Sequence, residues 1–439
     1  MITSAKADEI LGLNARNALF GSRNKLRAKK LANSKLKGKE VLKRAGITVP
    51  EVYVVFEEPE DVMNFAWENL PESFVVKPED GYGGNGVWVI RRRAHWAGEW
   101  WTFDGQKVSI SDLRWHVLDI LEGKFSTHAK ARSRAFIEER IPIESAFQRY
   151  AYKGTPDIRV IVYNKVPIMA MLRLPTQESD GKANLHQGAI GLGIDMATGV
   201  TTYGICHDKL IQYMPVRKSK VERKVNGLKI PHWKQLLKTA VACSEATGLT
   251  YGGIDLMIHP TKGIMVLELN CNPGLSVQLA NRAGLLRRLE RVKDLEVRDG
   301  EHGVNIAQAL FGSPFAGKVK ETDEKVVVEN IEEIKIRLSK KKRVPVLAKI
   351  DTGAYRSSID KNLAVSLGLL TQDNILWMGK YFSGLGKERR PIIGITFFLK
   401  GRKIRTAASV SNREKMKTKF LIGRRDLEGF FVNPAKEKL

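Results

Sequence analysis

Short apolar runs alternate with amphipathic patterns along the first two thirds of the chain. The apolar runs predict strands at 51–56, 73–78, 87–90, 134–139, 157–163 and 166–174. Apolar positions three and four apart predict helices at 36–45, 59–69, 111–121, 233–247 and 282–295. Gly46 and Gly248 follow two of these helices as stop signals, and Ser111 is expected near the N-cap of a third.

The two ends of the chain differ from this pattern. Residues 1–34 are predicted to form a basic helical arm that precedes a main domain at 35–312. Residues 313–326 are rich in Pro, Gly, Lys and Glu, which predicts a linker. The remaining segment, 327–439, is β-rich, with strands predicted at 344–350, 391–398 and 403–410.

The charge balance favours anionic partners. The 439 residues include 73 Lys and Arg against 48 Asp and Glu, a net charge of +25. A solvated basic face is the simpler interpretation of the cluster at 23–30, and nucleic acid or the ribosome is a less favoured partner because no nucleic-acid signature accompanies it. The three cysteines form no CxxC pair, and no apolar run has the length of a membrane span. A cytoplasmic location without a membrane partner is therefore expected.

Three oxygen-bearing side chains are predicted to meet on one hairpin. Asp255 lies in a β-rich run, a turn at 260–263 follows, and the returning run carries Glu268 and Asn270. Residues two apart on a strand project from the same face. Carboxylate and amide oxygens suit magnesium, which keeps room for phosphate oxygens. A solvated hairpin without a metal is the alternative.

A glycine-rich loop at 81–86 matches the dinucleotide fingerprint only formally. That fingerprint must open a helix, whereas this loop leads into the run 87–90, which is predicted as a strand. A glycine hairpin between two strands can instead close over a triphosphate with backbone N–H groups as donors. Lys77 precedes the loop and can neutralise a phosphate. A purely structural glycine turn is the alternative.

The ordered set of motifs resembles the ATP-grasp superfamily. It comprises Lys35, Lys77 with the glycine loop, the run 138–141, Asp255, and Glu268 with Asn270. Within the superfamily the chain is most similar to the α-L-glutamate ligases that act on ribosomal protein S6, and the resemblance covers about residues 30–310. It implies an α+β ATP-grasp fold. One departure is that only 34 residues precede Lys35, where the family usually has a separate α/β domain, so glutamate is not assured as the substrate.

The resemblance implies a role for each matching position. Lys35 and Lys77 would contact the ATP phosphates, and Gly83, Gly84 and Gly86 would form the flap over them. The adenine hinge would include Glu138, Glu139 and Ile141, and two magnesium ions (Mn²⁺ being the alternative) would bind Asp255, Glu268 and Asn270. The phosphate and acceptor side would be lined by Arg159, Arg173 and Asn184. The implied reaction is ligation: ATP phosphorylates a carboxylate, and an amine attacks the acyl phosphate.

The C-terminal segment resembles a small, mostly β, retropepsin-like acid protease domain. Asp351-Thr-Gly-Ala354 is similar to the active-site loop of that fold, and the run 420–427 is similar to its later hydrophobic-hydrophobic-Gly element. Aspartic catalysis needs two close carboxylates, so Asp351 would have to pair with its copy in a homodimer. A homodimeric peptidase, an inactive peptide-binding module and a degenerate fold piece are the three alternatives. Zinc finds no support, because no histidine follows residue 302 and no cysteine follows residue 271.

Three functions compete at this level. The first is an ATP- and magnesium-dependent carboxylate–amine ligase with an appended retropepsin-like domain, and a kinase is its minor variant. The second is an aspartic peptidase regulated by a nucleotide-binding domain. The third is a basic interaction protein that retains ATP binding only.

Overall fold

The computed structural model describes residues 9–81, 83–95, 98–103, 105–126, 133–207, 209–214, 223–312, 326–339, 341–383 and 386–433. The predicted linker at 313–326 lies outside these residues except for its last position. Among the described residues, no helix is both long and apolar enough to cross a membrane.

The first sheet has six strands in the order β1-β6-β2-β3-β4-β5, and all its pairings are antiparallel. The strands are β1 (Val52–Phe56), β2 (Phe74–Pro78), β3 (Trp88–Arg93), β4 (Glu99–Thr102), β5 (Lys107–Ser109) and β6 (Ala135–Glu139). Phe56, Trp67 and Trp100 are fully buried in the core beneath it. One face of this sheet thus covers an apolar core, and the sheet forms one wall of the molecule's main cleft.

The helix after β5 begins earlier than the sequence indicated. It spans Ile110–Leu121, and its N-cap is Ser109, whose side chain accepts a hydrogen bond from the backbone N–H of Asp112. The prediction of Ser111 near the N-cap is therefore wrong by two residues. The reason is the spacing of Ser109 and Asp112, which are three apart and form a reciprocal capping box.

The second sheet has seven strands in the order β11-β10-β9-β8-β7-β12-β13. These are β7 (Asp157–Tyr163), β8 (Val166–Leu174), β9 (Ile190–Ile194), β10 (Thr201–Cys206), β11 (Lys209–Ile211), β12 (Tyr251–His259) and β13 (Gly263–Asn270). Strands β7 and β8 are buried along almost their whole length, which explains their continuous apolar runs. This sheet forms the opposite wall of the molecule's main cleft.

Helices pack on these two sheets, and the last helix packs on the C-terminal segment. They are α1 (Leu13–Ala15), α2 (Leu26–Asn33), α3 (Lys35–Arg44), α4 (Pro59–Asn64), α5 (Ile110–Leu121), α6 (Trp233–Thr247), α7 (Ser276–Asn281), α8 (Leu285–Val292), α9 (Gly300–Leu310) and α10 (Lys361–Ser366). Helix α6 ends where Gly248 adopts a φ of +73°, so the predicted bounds 233–247 are confirmed. The helix predicted at 282–295 is shorter, because the chain turns between α7 and α8.

The N-terminal arm packs on the second sheet. Its lysine and arginine side chains between 23 and 30 are mostly exposed, as a solvated basic face requires. Its apolar side chains, however, are buried: Leu11 and Phe20 belong to the core of the second sheet. The Asn24 side chain donates to the carbonyl of Tyr251 at 2.7 Å and accepts from that residue's N–H at 3.0 Å. The arm is therefore a structural part of the sheet it covers.

The C-terminal segment forms a third sheet of seven strands in the order β15-β16-β21-β17-β20-β19-β18, beside the small sheet β14-β22. The strands are β14 (Val326–Glu329), β15 (Ile331–Arg337), β16 (Arg343–Asp351), β17 (Ser358–Asp360), β18 (Ile375–Ser383), β19 (Gly386–Leu399), β20 (Arg402–Ser411), β21 (Phe420–Gly423) and β22 (Phe430–Asn433). An extra pairing of β15 with β19 curls the sheet around its own core.

This third sheet is attached to helix α9. The imidazole Nε2 of His302 lies 2.8 Å from the carbonyl oxygen of Leu376, and the Arg425 guanidinium donates to the carbonyl of Ala309 at 3.1 Å. The side chain of Ile392 is buried in the same apolar cluster as the second sheet. The two parts of the molecule therefore share a packed interface.

Candidate active site

A cleft of about 950 Å³ separates the first sheet from the second. It brings together nearly all the residues that the sequence had singled out. Those that line it are Lys35, Lys77, Gly83, Gly84, Glu138, Glu139, Ile141, Arg159, Arg173, Asn184, Asp255, Glu268 and Asn270. Gly86 lies just behind the lining, and Asp351 lies in the third sheet. Residues from both walls therefore face one cleft.

Strands β12 and β13 hold the predicted oxygen cluster. They pair antiparallel with Asp255 directly opposite Glu268, so both carboxylates project from one face. The side-chain amide nitrogen of Asn270 lies 3.3 Å from an oxygen of each carboxylate. The prediction that these three side chains converge on a hairpin is confirmed.

Two arginines bind the carboxylate of Asp255. Arg159 donates to both of its oxygens at 2.7 and 2.6 Å, and Arg173 donates to Oδ2 at 2.8 Å. Arg173 also makes two hydrogen bonds with Asp157, at 2.5 and 2.6 Å. Burial opposes ionisation of Asp255, but the two guanidinium groups outweigh it and hold its pKa well below the usual range. Burial raises the pKa of Asp157 to about 6, against the pull of Arg173.

The donor set fits a hard divalent cation only in part. Carboxylate and amide oxygens are the ligands that magnesium prefers. Among the described residues, no group of three or more His, Cys, Asp or Glu side chains could hold a metal by itself. An ion held by Asp255, Glu268 and the amide oxygen of Asn270 would therefore need further ligands, such as nucleotide phosphate oxygens. Because arginines bind both oxygens of Asp255, one of these hydrogen bonds would also have to break before that oxygen could bind the ion.

A buried ionic group lies beside this cluster on the first sheet. The carboxylate of Glu138 is only 1% exposed and pairs through one oxygen with Lys77 and through the other with Lys39, at 3.0 Å. Burial disfavours its ionisation, but the two lysines hold its pKa below the usual range. Sequence reasoning assigned Glu138 to the adenine hinge and did not single out Lys39. The available signal was its position one helical turn after Lys35 on α3.

Lys35 anchors the start of the glycine loop. Its ammonium group donates to the carbonyl oxygens of Glu79 at 2.7 Å and Gly81 at 2.9 Å. Burial lowers its pKa, and the nearby carboxylate of Glu268 opposes that shift. The described partners of Lys35 are thus carbonyls at the edge of the cleft where the loop begins.

The glycine loop joins two antiparallel strands, β2 and β3, as predicted. Gly83, Gly84 and Gly86 all have φ between +67° and +81°, a region that side chains disfavour. A Cβ atom on Gly86 would lie 2.7 Å from the ring of Phe125. The carbonyl oxygen of Gly86 is 2.9 Å from Nε2 of His116, whose ring stacks on Trp88. The base of the loop is therefore fixed, while its tip faces the cleft.

The predicted hinge lies at the end of β6. The side chain of Glu139 pairs with Lys262, and Ile141 is almost fully buried at the cleft wall. Between them, the Arg140 guanidinium lies 5.4 Å above the ring of Phe103.

On the far wall, Asn184 caps a short helical turn by accepting from the N–H of His186 at 3.1 Å.

Two antiparallel sheets that enclose a lysine- and glycine-lined cleft opposite an acidic hairpin define an ATP-grasp protein. The model of one branch, the sugar-transfer associated ATP-grasp family, matches residues 14–294. The match spans more than half of the chain, and the protein therefore belongs to that family. The matched region begins at residue 14, inside the N-terminal arm.

Solved structures show only distant similarity. The ATP-grasp ligase PsnB, in complex with a minimal precursor, is 17% identical over 61% of this chain and 61% of its own, with a TM-score of 0.31. D-alanine–D-alanine ligase from Bacillus anthracis is 15% identical over 61% of this chain and 69% of its own, also with a TM-score of 0.31. The Legionella pneumophila protein Lpg0085, of unknown function, is 15% identical over 26% of this chain and 96% of its own, with a TM-score of 0.19.

The chain spans about three fifths of the length of PsnB. No curated protein matches the chain.

Proposed function

We propose that this protein is an ATP- and magnesium-dependent ligase that joins a carboxylate to an amine. The observation that carries the proposal is the convergence of Lys77, the glycine loop and the Asp255, Glu268 and Asn270 cluster on one cleft. Membership of an ATP-grasp family supports ATP as the nucleotide. The likeness to glutamate ligases of the ribosomal protein S6 type remains part of the proposal.

The cleft residues divide between the two halves of this reaction. Lys77 and Lys35 would neutralise nucleotide phosphates, the glycine loop would close over them, and the backbone at 138–141 would bind adenine. Two magnesium ions, or Mn²⁺ in their place, would offset charge on the transferred phosphoryl group. Arg159 and Arg173 would bind the acyl phosphate or the substrate carboxylate, because a guanidinium group can donate two parallel hydrogen bonds.

The covalent steps follow from these roles. A carboxylate oxygen of the first substrate attacks the γ-phosphorus of ATP, which forms an acyl phosphate and releases ADP. The amine of the second substrate then attacks the acyl carbon, the C–O bond to phosphate breaks, and inorganic phosphate leaves as the amide forms. Closure of the glycine loop over the cleft would help to keep water from the acyl phosphate.

The test is ADP release measured with matrices of carboxylates and amines that include glutamate. Release that requires both partners, together with an amide product in the mass spectrum, is the expected result. Glu268→Ala should reduce release at least a hundredfold, because one of few oxygen ligands is lost. Release with a single acceptor and a stable phosphorylated product would instead identify a kinase.

A second activity is proposed for the third sheet, namely binding or cleavage of peptides in a retropepsin-like arrangement. The supporting observation is the parallel pairing of β16 with β21, which sets Asp351 opposite Gly423. One oxygen of Asp351 accepts from the N–H groups of Gly353 and Ala354, as a tight loop requires. Cleavage would need the Asp351 of a second copy, since aspartic catalysis uses two carboxylates.

Peptide cleavage and sedimentation test this second activity together. A peptidase should form dimers in solution and lose cleavage of a peptide library in the Asp351→Asn variant. Cleavage that persists in Asp351→Asn would exclude the aspartic mechanism. A monomer that binds peptides without cleaving them would support the binding module.

A further inference from the structure

One buried carboxylate is shared by two lysines beside the cleft. Lys77 comes from β2, Glu138 from β6 and Lys39 from α3, so three separate elements supply the group. The Lys39 side chain is 7% exposed, against 14% for Lys77, and it approaches the carboxylate oxygen that Lys77 does not use. Lys39 therefore lies deeper in the wall than Lys77 does.

The charges of this group decide what Lys77 can offer a nucleotide. A buried pair of one lysine and one glutamate has no net charge and attracts an anion only weakly. With Lys39 added, two positive charges face one negative charge, and the group keeps a net charge of +1 at the cleft surface. Burial lowers the pKa of Lys39, and the carboxylate of Glu138, 3.0 Å from its ammonium group, opposes that shift.

We propose that Lys39 is a positioning residue for nucleotide binding: by sharing Glu138 it leaves the charge of Lys77 available to the phosphates of ATP. The inference rests on the proposed function, because it concerns the nucleotide site of that ligase. Lys39 also lines the cleft, but the proposed role acts through Glu138 and requires no contact between Lys39 and the nucleotide. A purely structural pair would tie α3 to β6 and would have no effect specific to phosphate.

The first test compares ATP with adenosine on the full-length protein. Calorimetry with excess magnesium chloride gives the Kd of each ligand for the wild type and for Lys39→Met, which keeps most of the side-chain volume. We expect the Kd of ATP to rise at least tenfold, about 1.4 kcal/mol, and the Kd of adenosine to stay within twofold. Lys39→Arg, which keeps the charge, should restore ATP binding. Lys43→Met, on an exposed part of the same helix, is the matched control and should bind ATP as the wild type does.

The second test removes the carboxylate as well. In the double variant Lys39→Met/Glu138→Gln, Lys77 is the only charged member of the group, and its net charge returns to +1. ATP affinity should recover to within about threefold of wild type, although two buried ionic groups have been lost. Additive damage, with the double variant weaker than Lys39→Met, would show that the group acts only through packing.

The outcomes separate this inference from the proposed function. A wild-type protein that binds no ATP contradicts the ligase proposal itself. A wild type that binds ATP, beside a Lys39→Met variant of equal affinity, overturns the role of Lys39 alone. Equal losses for ATP and adenosine would also overturn it, because they indicate a distorted site rather than a missing charge.

Discussion

At the scale of single residues, the charged side chains of the cleft form two ionic groups, each with one carboxylate and two cations. Asp255 holds two guanidinium groups, and Glu138 holds two ammonium groups. In both cases the carboxylate is buried and is stabilised as an ion only by its partners. Either carboxylate can hold the cationic side chains in place before an anionic ligand arrives.

The residue-scale prediction concerns the free energy of unfolding. Asp255→Asn removes the charge that compensates Arg159 and part of Arg173, and the free energy of unfolding should fall by about 3 kcal/mol. Glu268→Gln, on the facing strand, is the matched control, because the structure shows no ion pair between Glu268 and a described residue. Urea denaturation of the two variants measures the difference. Equal stability of both would mean that solvent, and not Asp255, compensates the arginines.

Most of the residues that the sequence singled out line the cleft, but their partners were not predicted. Asp255, Glu268 and Asn270 could be placed together because period two and a short turn define a hairpin. Lys39 was not singled out: its position one helical turn after Lys35 was visible, but its pairing with Glu138 depends on β6, about a hundred residues further along the chain. The pairing of Arg159 with Asp255 was missed for the same reason: adjacent antiparallel strands set these residues opposite each other.

At the scale of secondary structure elements, the arm from residue 9 to residue 33 behaves as part of the second sheet. Phe20 is 3% exposed, and its ring meets the ring of Tyr163 edge-on at 5.3 Å. The apolar positions of the arm follow no single helical period, because a π-helical turn at Arg16–Phe20 and a 3-10 turn at Gly21–Arg23 interrupt it. That is why sequence periodicity indicated only a basic arm, whereas the regular helix α6 was predicted with its bounds.

The element-scale prediction follows from this burial. Phe20→Ala should lower the free energy of unfolding by about 3–5 kcal/mol, since it leaves a cavity in the core. Its neighbour Leu19 is 50% exposed, and Leu19→Ala should cost less than about 1 kcal/mol. Chemical denaturation of the full-length variants measures both values. A small loss for Phe20→Ala would mean that the arm can detach without affecting the sheet.

At the scale of the whole molecule, helix α9 joins the nucleotide cleft's second sheet to the third sheet. The imidazole of His302, on this helix, lies 2.8 Å from the carbonyl oxygen of Leu376, and buried side chains of the helix share an apolar cluster with Ile392. Arg291, at the end of α8, also donates to the hydroxyl of Tyr355 at 2.6 Å, four residues beyond Asp351. The loop that follows Asp351 is thus bonded to a helix of the ATP-grasp domain.

The whole-molecule prediction is cooperative opening across this interface. Ile392→Ala should speed amide hydrogen exchange in α9 as well as in β19, because one apolar cluster serves both. Val365→Ala, at an exposed position of α10, should leave exchange in α9 unchanged. Hydrogen exchange followed by mass spectrometry reads each segment separately. Faster exchange confined to β19 would show that the two parts open independently.

The way the arm is held also fixes the order in which this protein can fold. The N–H of Leu11 donates to the side chain of Gln278, and Asn24 bonds to the backbone of Tyr251, so the partners are 267 and 227 residues apart. During synthesis the arm leaves the ribosome long before these partners exist. Its apolar side chains cannot reach their native partners until the second sheet is complete, so we expect the arm to be among the last parts of the chain to become ordered.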